Sequence, residues 1–203
     1  MVDIHSHIIF GVDDGSPNID ESLRMITEAR NIGVKTIIAT PHFMEHVLNP
    51  NRTMENFKIL LDKTKDIDID IKMGYEVILH PLLMKGIEIV EKHTLNKSEY
   101  ILVEFPFNSS VVQSFNVLSK IQMKKLKPII AHPERIEAFL KKKQLVDDLK
   151  YRGCLLEVNA GSIMGYYGER AKAMSKQMIK SRMIDFVASD AHKPEYYKRY
   201  FRL

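Results

Sequence analysis

Cysteine is nearly absent from this chain of 203 residues, and its scarcity excludes two classes of protein. The single cysteine, Cys154, cannot form an internal disulfide, so the chain is not a disulfide-stapled domain. It lies in an apolar run, which predicts a buried thiol in a reducing compartment. No Cys-x5-Arg sequence surrounds it, which argues against a phosphatase with a cysteine nucleophile.

Long apolar runs and targeting signals are also lacking. No stretch approaches the ~20 apolar residues that a membrane-spanning helix needs. The N-terminus, Met-Val-Asp-Ile-His, has neither the basic region nor the apolar core of a signal peptide, so a cytoplasmic protein is predicted. No tandem repeat, low-complexity tract or linker divides the chain, and residues 1–203 are predicted to form one domain.

The composition that is present is typical of a globular protein, with 45% apolar and 28% charged residues. The formal net charge of +4 is a mild basic bias that suits an anionic substrate without identifying one. Part of this charge lies in Lys141-Lys142-Lys143, a run expected to form a solvated helix face. No basic stripe is interleaved with aromatic residues, so a nucleic-acid-binding module is a poor fit.

Short apolar segments alternate with longer amphipathic ones along the chain. The predicted strands are Val2–His5, Val34–Ala39, Ile69–Val77, Tyr100–Phe105, Lys127–Ala131, Cys154–Asn159 and Ile184–Ala188. The predicted helices are Asn18–Ile32, with Asn18 as its cap, Thr53–Lys65, Leu82–Lys92, Val111–Leu126, Glu134–Arg152 and Gly168–Ser181. Roughly seven βα units with strands buried on both faces predict a closed or distorted parallel barrel. An open doubly wound sheet is the alternative.

The candidate metal ligands share one position, at or just after the carboxyl end of a predicted strand. They are His5, His7, His42, Glu76, Glu104, His132, Asp190 and His192. In a parallel barrel all these ends open on one face, so residues far apart in sequence would meet there. The imidazoles of His5 and His7, two residues apart on an extended segment, point the same way and suit one metal ion.

The joint pattern, and no single histidine, favours a metal site, because a lone strand-end histidine is more often structural. Imidazole and carboxylate ligands without thiolate suit Mn, Fe or Zn, and their number implies two or three ions. Such ions activate water and stabilise charge in phosphate-ester hydrolysis, so no Ser or Cys nucleophile is needed. His46, His80 and His93 lie outside the pattern and are expected to be surface or structural residues. Asp13-Asp14-Gly15 is either a plain turn or a loop whose carboxylate reaches the metals.

Two arginines are candidates for binding a phosphate group. Arg135, just after His132, has a guanidinium that suits forked hydrogen bonds to phosphate oxygens; the alternative is a surface salt bridge. Arg170 is a second candidate anion contact. Tyr166 and Tyr167 precede it and are either part of a rim for an aromatic substrate or packing residues.

Six motifs in this order resemble those of the PHP (polymerase and histidinol phosphatase) superfamily. They are Asp3-Ile4-His5-Ser6-His7, Asp13-Asp14-Gly15, Thr40-Pro41-His42, Gly74-Tyr75-Glu76, Ala131-His132-Pro133-Glu134-Arg135 and Ser189-Asp190-Ala191-His192. Within that superfamily the chain resembles the bacterial manganese-dependent protein-tyrosine phosphatases of capsule and exopolysaccharide synthesis. The resemblance implies an α/β fold, a distorted (β/α)7 TIM-like barrel of PHP type.

The resemblance also implies a trinuclear Mn²⁺ site, with Fe or Zn as alternatives. The three ions would be held, in turn, by His5, His7, Glu76 and Asp190; by Glu76, Glu104 and His132; and by Asp14, His42 and His192. A metal-bridging hydroxide would attack phosphorus while Arg135 binds the phosphoryl group. Asp190 and His192 would belong to the catalytic set with Arg135, and Arg170 would assist substrate binding.

The implied substrate is phosphotyrosine, on the tail of a bacterial tyrosine autokinase. The alternatives are a small-molecule phosphatase such as a histidinol-phosphate phosphatase, a nuclease-like PHP protein, and a degenerate module that only binds a partner. The resemblance implies further helix after the last motif. Here Lys193–Leu203 follows, rich in Tyr and Arg, and is expected to form either a short final helix or a truncated end.

Overall fold

Short parallel strands form a curled sheet in this computed structural model, which describes residues 1–43, 49–107 and 111–200. The strands are β1 (Val2–Ser6), β2 (Thr36–Ala39), β3 (His42–Phe43), β4 (Asp70–Met73), β5 (Glu76–Ile78), β6 (Tyr100–Glu104), β7 (Lys127–Ile130), β8 (Leu155–Asn159) and β9 (Phe186–Ala188). The helices are α1 (Ile19–Asn31), α2 (Pro50–Thr64), α3 (Val111–Met123), α4 (Glu137–Lys141), α5 (Gln144–Tyr151), α6 (Ala160–Met164), α7 (Glu169–Lys180) and α8 (Pro194–Tyr200). Within the described ranges, every helix is too short or too polar to traverse a bilayer.

The strands pair in two parallel runs, β1-β2-β4 and β3-β5-β6-β7-β8-β9. Along the chain β3 directly follows β2, and β5 directly follows β4. If each of these pairs is counted as one interrupted strand, the nine strands occupy seven positions around the barrel. The barrel closes where the backbone N–H of Asp190 donates to the carbonyl of His5 and that of His7 donates to Ala191, both at 2.9 Å. The predicted distorted (β/α)7 barrel is confirmed, and the open doubly wound sheet is wrong.

Alternation along the strands separates the barrel interior from the layer beneath the helices. In β6, Leu102 packs inward against Ile129 of β7, whereas Ile101 and Val103 join the core under the helices. Successive side chains of a strand point to opposite faces. The same alternation turns Glu157 of β8 toward the interior, where it is fully buried.

The first helix forms as its sequence predicts. The Asn18 side chain accepts a hydrogen bond from the backbone N–H of Glu21 at 3.0 Å, which satisfies one of the free donors of the first turn. Met25, Ile26 and Ala29 are fully buried on the inner face of α1. The chain's last described helix, α8, packs against α1, so the described part of the Tyr-rich segment is helical, in line with one of the two expectations.

The single predicted strand Ile69–Val77 is wrong, because this segment forms two strands, β4 and β5, with a break in the extended structure at Gly74. A Cβ atom at Gly74 would lie 2.7 Å from Leu95 Cδ2 and 2.9 Å from Ile38 Cγ2, so a larger residue at this crowded bend would have to displace these side chains. The break lets β5 pair with β3 instead of continuing beside β2. It thereby places Glu76 opposite His42 at the carboxyl end of the barrel.

Two predicted helices are also wrong in form. Leu82–Lys92 is a pair of 3₁₀ turns, Pro81–Lys85 and Ile87–Lys92, separated by Gly86. Glu134–Arg152 is a 3₁₀ turn followed by α4 and α5. Hydrophobic periodicity does not distinguish these short pieces from one continuous helix.

Several residues predicted to be structural are confirmed as such. Cys154 is buried, and burial raises the pKa of its thiol to about 11. Lys141-Lys142-Lys143 is solvent-exposed as expected, but the predicted helix face is wrong, because α4 ends at Lys141 and α5 begins at Gln144. The His93 ring is buried and stacks on Phe43, with ring centroids 3.8 Å apart. His80 Nδ1 accepts a hydrogen bond from the backbone N–H of Leu82 at 3.3 Å. His46 lies outside the described residues.

Candidate metal centre

The predicted ligands meet at the carboxyl end of the barrel. Nine of them form four overlapping groups, and within each group the potential ligand atoms all lie within 4.8 Å of one another. The groups are His7, Asp14, His42 and His192; His5, His7 and Asp190; His5, Glu76 and His132; and His42, Glu76 and Glu104. This proximity is the geometry that a multinuclear centre requires.

The two imidazoles at the end of β1 face each other, with Nε2 of His5 3.2 Å from Nε2 of His7. The opposite ring nitrogens are both engaged, His5 Nδ1 with Glu157 at 3.1 Å and His7 Nδ1 with Asp13 at 2.8 Å. If each Nδ1 donates its proton to its carboxylate, both Nε2 atoms present lone pairs to the same space. A cation relieves that repulsion, and a carboxylate behind each imidazole is the usual arrangement of a histidine metal ligand. The residues therefore fit a metal.

Glu76 lies at the centre of the cluster and is fully buried. Its Oε1 is 3.0 Å from His132 Nε2, and its Oε2 is 3.2 Å from His5 Nε2 and 3.0 Å from His42 Nδ1. Despite this approach, Glu76 Oε2 and His42 Nδ1 form no hydrogen bond to any described residue. Buried polar atoms without partners are rare and costly, and coordination to a cation would satisfy both.

Asp14 marks the solvent-facing end of the cluster, with its side chain 70% exposed. Its Oδ1 lies 3.4 Å from the Nε2 atoms of both His42 and His192. The hydrogen bond with His192 lowers the pKa of Asp14 to about 2, so this carboxylate is ionised at neutral pH. The loop Asp13-Asp14-Gly15 thus contributes two carboxylates to the centre.

Glu104 lies in a group different from the one that the resemblance implied. It shares a group with His42 and Glu76, and its Oε1 is 3.8 Å from His132 Nε2. His132 instead lies in a group with His5 and Glu76. Glu76 belongs to both groups, which is the position of a bridging ligand.

Asp190 is a candidate metal ligand that also contacts Arg135. Although burial opposes its ionisation, the charge of His5 and a hydrogen bond with His7 hold the pKa of Asp190 below its usual range. Asp190 and His132 both have positive φ angles, 49° and 30°. Non-glycine residues rarely adopt this left-handed conformation, which carries strain and concentrates at functional sites.

Arg135 stands between the centre and a neighbouring cavity. Its Nη1 donates a short hydrogen bond to Asp190 Oδ2, to which Asn159 Nδ2 also donates at 2.7 Å. The guanidinium lies 4.1 Å from the centre of the Tyr167 ring. The cavity, of about 380 Å³, is lined by Phe107, Arg135, Leu140, Tyr167, Gly168, Glu169, Arg170 and Ala171. An anion entering this cavity would meet Arg135 directly.

Arg170 and the two tyrosines occupy different positions around that cavity. Arg170 lines it, but its Nη1 is 3.1 Å from Glu137 and its side chain is 62% exposed. Tyr167 forms part of the wall, as the aromatic-rim interpretation supposed, while Tyr166 packs on Tyr200 with centroids 5.1 Å apart.

Sequence reasoning missed the residues behind the ligands. Glu157 holds His5 Nδ1 and also accepts the backbone N–H of His132 at 3.3 Å. Glu134 is fully buried, and burial together with Glu157 raises its pKa to about 7. A signal for Glu157 was present, because a lone carboxylate on the inward face of an apolar strand needs a partner. The loop Asp13-Asp14-Gly15 was expected to supply a carboxylate to the metals, but the contact of Asp13 with His7 Nδ1 was not anticipated.

The closed parallel barrel and the donor cluster at its strand ends place this protein in the class of PHP-type barrels with a candidate metal centre. The family model for capsular polysaccharide synthesis, CpsB/CapC, matches residues 1–200. The chain belongs to this CpsB/CapC family.

Relatives and solved structures support that membership. The chain is 33% identical over 196 residues to the tyrosine-protein phosphatase YwqE of Bacillus subtilis, covering 95% of this chain and 77% of the relative. It is 33% identical over 201 residues to the tyrosine-protein phosphatase CpsB of Streptococcus pneumoniae, covering 95% and 83%. A crystal structure from the study of these two proteins, described as unique metal-dependent tyrosine phosphatases, superposes with a TM-score of 0.86 at 32% identity over 97% of this chain and 81% of that chain.

A more distant structural relative shares the fold alone. The lactonase Lmo2620 of Listeria monocytogenes superposes with a TM-score of 0.61 at 12% identity, over 98% of this chain and 80% of that chain. Because a shared fold does not determine function, the activity must be argued from the site.

Proposed function

We propose that this protein is a metal-dependent tyrosine phosphatase that removes phosphate from phosphotyrosine in protein substrates. The observation that carries the proposal is the meeting of nine His, Asp and Glu side chains beside an arginine-lined cavity. Family membership adds the link to capsular polysaccharide synthesis. The relatives' names add tyrosine as the dephosphorylated residue.

The proposed ligand roles combine the groups of donor atoms with the approach of Glu104 Oε1 to His132 Nε2 at 3.8 Å. His5, His7 and Asp190 would hold one ion, Glu76 would be shared with a second ion near His132 and Glu104, and Asp14, His42 and His192 would hold a third. Bound divalent ions activate water as a nucleophile and neutralise phosphoryl charge. Mn²⁺ is the proposed metal, because imidazole and carboxylate donors without thiolate suit it, and Fe and Zn are alternatives that metal analysis would distinguish.

Arg135 would bind the phosphoryl oxygens. Its guanidinium is oriented by Asp190 on one side and by the face of Tyr167 on the other, so little side-chain freedom is lost when substrate arrives. Through its Oδ2 bond to Arg135, Asp190 couples the position of the arginine to the ligands His5 and His7, which approach its Oδ1 at 3.4 Å. Arg170 would become a second anion contact only after its ion pair with Glu137 is broken.

The proposed biological substrate is the phosphotyrosine tail of a bacterial tyrosine autokinase, in the cytoplasm, with control of capsule or exopolysaccharide synthesis as the outcome. A tail is an extended, accessible segment, and the cavity beside Arg135 has the exposed residues Phe107, Gly168 and Glu169 in its lining. The half-exposed Phe107 ring offers an aromatic surface to the substrate ring.

A comparison of three substrates tests the proposal. Manganese-loaded protein should release phosphate from a phosphotyrosine peptide at a kcat/KM at least about a hundredfold above that for the matching phosphoserine peptide. Histidinol phosphate is the third substrate, since it represents the small-molecule alternative. A higher kcat/KM for histidinol phosphate than for the phosphotyrosine peptide would refute the proposal.

A further inference from the structure

An apolar groove of about 520 Å³ adjoins the arginine-lined cavity, and Phe107 belongs to both. It runs between the start of α3 and the helices α4 and α5. Its walls are formed by Phe107, Val111, Val112, Glu137, Ala138, Lys141, Lys142 and Leu145. Phe107 and Val112 are 48% and 70% exposed. Neighbouring exposed apolar side chains with a polar rim are typical of an interaction site.

The rim of this groove carries a basic group that is available to a ligand. Glu137 already has two partners, Arg170 Nη1 at 3.1 Å and Lys141 Nζ at 3.4 Å. Lys142 is exposed and has no ion pair within residues 1–43, 49–107 and 111–200. A carboxylate entering the groove would find Lys142 without displacing an existing pair, whereas an incoming cation would meet like charge.

The groove is continuous with the site where the phosphate would bind. Phe107 lines both cavities, so a phosphotyrosine whose phosphate contacted Arg135 would have its backbone beside Phe107, at the entrance to the groove. An extended peptide projects successive side chains to opposite sides, so one neighbour can enter the groove while the next reaches its rim.

We infer that this groove docks the polypeptide next to the phosphotyrosine, with an apolar side chain against Phe107 and Val112 and a carboxylate beside Lys142. The inference rests on the proposed phosphatase function and specifies its substrate: phosphotyrosine flanked by an apolar and an acidic residue. The metal centre would catalyse the reaction, and the groove would select the amino-acid sequence around the phosphotyrosine of the substrate.

Charge and polarity changes in the groove test the inference. Val112→Asp and Lys142→Glu alter an exposed apolar and an exposed basic residue of the groove. The matched controls are Ile179→Asp and Lys180→Glu, exposed residues at the far end of α7. Ile179 lies about 12 Å along the helix from the cavity-lining Ala171, at roughly 1.5 Å per residue.

Each variant would be assayed with manganese on two substrates. One is a phosphotyrosine peptide carrying Leu and Glu on both sides of the phosphotyrosine, and the other is para-nitrophenyl phosphate, which has no polypeptide. Val112→Asp and Lys142→Glu should raise the peptide KM about five- to tenfold, leave its kcat within about twofold and leave para-nitrophenyl phosphate turnover unchanged. Replacing the peptide's Glu residues by Lys should restore the KM of Lys142→Glu.

The controls should behave as the wild type on both substrates. An unchanged peptide KM in both groove variants would overturn the docking inference while para-nitrophenyl phosphate turnover left the phosphatase proposal standing. An equal rise of KM in the control variants would overturn it too, since the effect would then not be local to the groove. A wild-type protein that hydrolyses neither substrate would overturn the proposed function and the docking inference together.

Discussion

Arg135 is the residue whose role is most separable from metal binding. It contacts the centre only through Asp190 and faces the cavity with the rest of its guanidinium. We expect Arg135→Ala to lower kcat/KM on a phosphotyrosine peptide about 10²- to 10³-fold, the usual cost of one lost charge-stabilising donor. Metal content, measured by mass spectrometry, should stay at the wild-type value.

Arg170→Ala is the matched comparison for that experiment. Because Arg170 is paired with Glu137 and largely exposed, its loss should cost less than about tenfold in kcat/KM. If Arg135→Ala retained wild-type kinetics, the proposed role of Arg135 in phosphate binding would be refuted.

Glu157 supports two ligands at once, through the His5 ring and the His132 backbone. We expect Glu157→Gln, which keeps the side-chain size, to weaken Mn²⁺ binding about 10- to 100-fold, as is usual when a carboxylate behind a ligand histidine is lost. Isothermal titration of metal-free protein with Mn²⁺ measures this directly. Asp147→Asn, an exposed acid on α5, is the control. A variant with reduced stability but unchanged metal affinity would show that Glu157 has only a structural role.

At the scale of elements, hydrogen bonds attach α8 to the strand β1 at which the barrel closes. The Tyr197 hydroxyl donates to Asp3 Oδ2 at 2.8 Å and lies 2.9 Å from Ser6 Oγ, which ties the tail helix to β1. Asp3 also accepts from the backbone and hydroxyl of Ser189 after β9, at 3.0 and 2.6 Å. A buried carboxylate therefore joins the first strand, the last strand and the final helix.

Tyr197→Phe should lower the free energy of unfolding by about 1–3 kcal/mol, the range for a buried polar group that loses a hydrogen-bond partner. Urea unfolding of the metal-free protein measures the change. Tyr196→Phe on the same helix, whose ring is half-buried, should change the stability by less than about 0.5 kcal/mol. Equal effects of the two substitutions would contradict the assigned role of Tyr197.

The elements also show where sequence reasoning succeeds and where it stops. The strand ends that carry His5, Glu104 and Asp190 are predictable, because apolar runs mark the strands and a polar residue follows each. The bend at Gly74 is not, because it depends on Leu95 and Ile38, which approach only in the folded barrel. For Glu157 the sequence signals that a buried carboxylate needs partners, but it does not identify them, since they lie on or after other strands.

The whole molecule should respond to pH differently with and without metal. Although burial favours their neutral rings, Glu76 raises the pKa of His5 and Asp13 raises that of His7 well above the ordinary value of 6.5. Raised pKa values stabilise the metal-free protein fully below pH 6.5, and this contribution is lost as the pH rises through the folded-state values. Mn²⁺ requires the neutral rings, so its binding should strengthen over the same range.

Urea unfolding between pH 5.5 and 9 tests whether Mn²⁺ changes how the stability depends on pH. We expect the free energy of unfolding to fall with rising pH in chelator-treated protein and to fall less, or to rise, with Mn²⁺ present. His80→Gln, a change outside the centre, should leave both curves unaltered. A metal-free protein whose stability does not change with pH would contradict the assigned electrostatics.

Metal dependence of phosphotyrosine hydrolysis is the central claim for the molecule, and one reconstitution measures it. Phosphate release from a phosphotyrosine peptide would be followed in metal-free protein before and after addition of Mn²⁺, with His5→Ala treated identically. We predict negligible release without metal, full recovery in the wild type on adding Mn²⁺, and no recovery in His5→Ala. Equal release with and without metal, or full recovery in His5→Ala, would contradict the account.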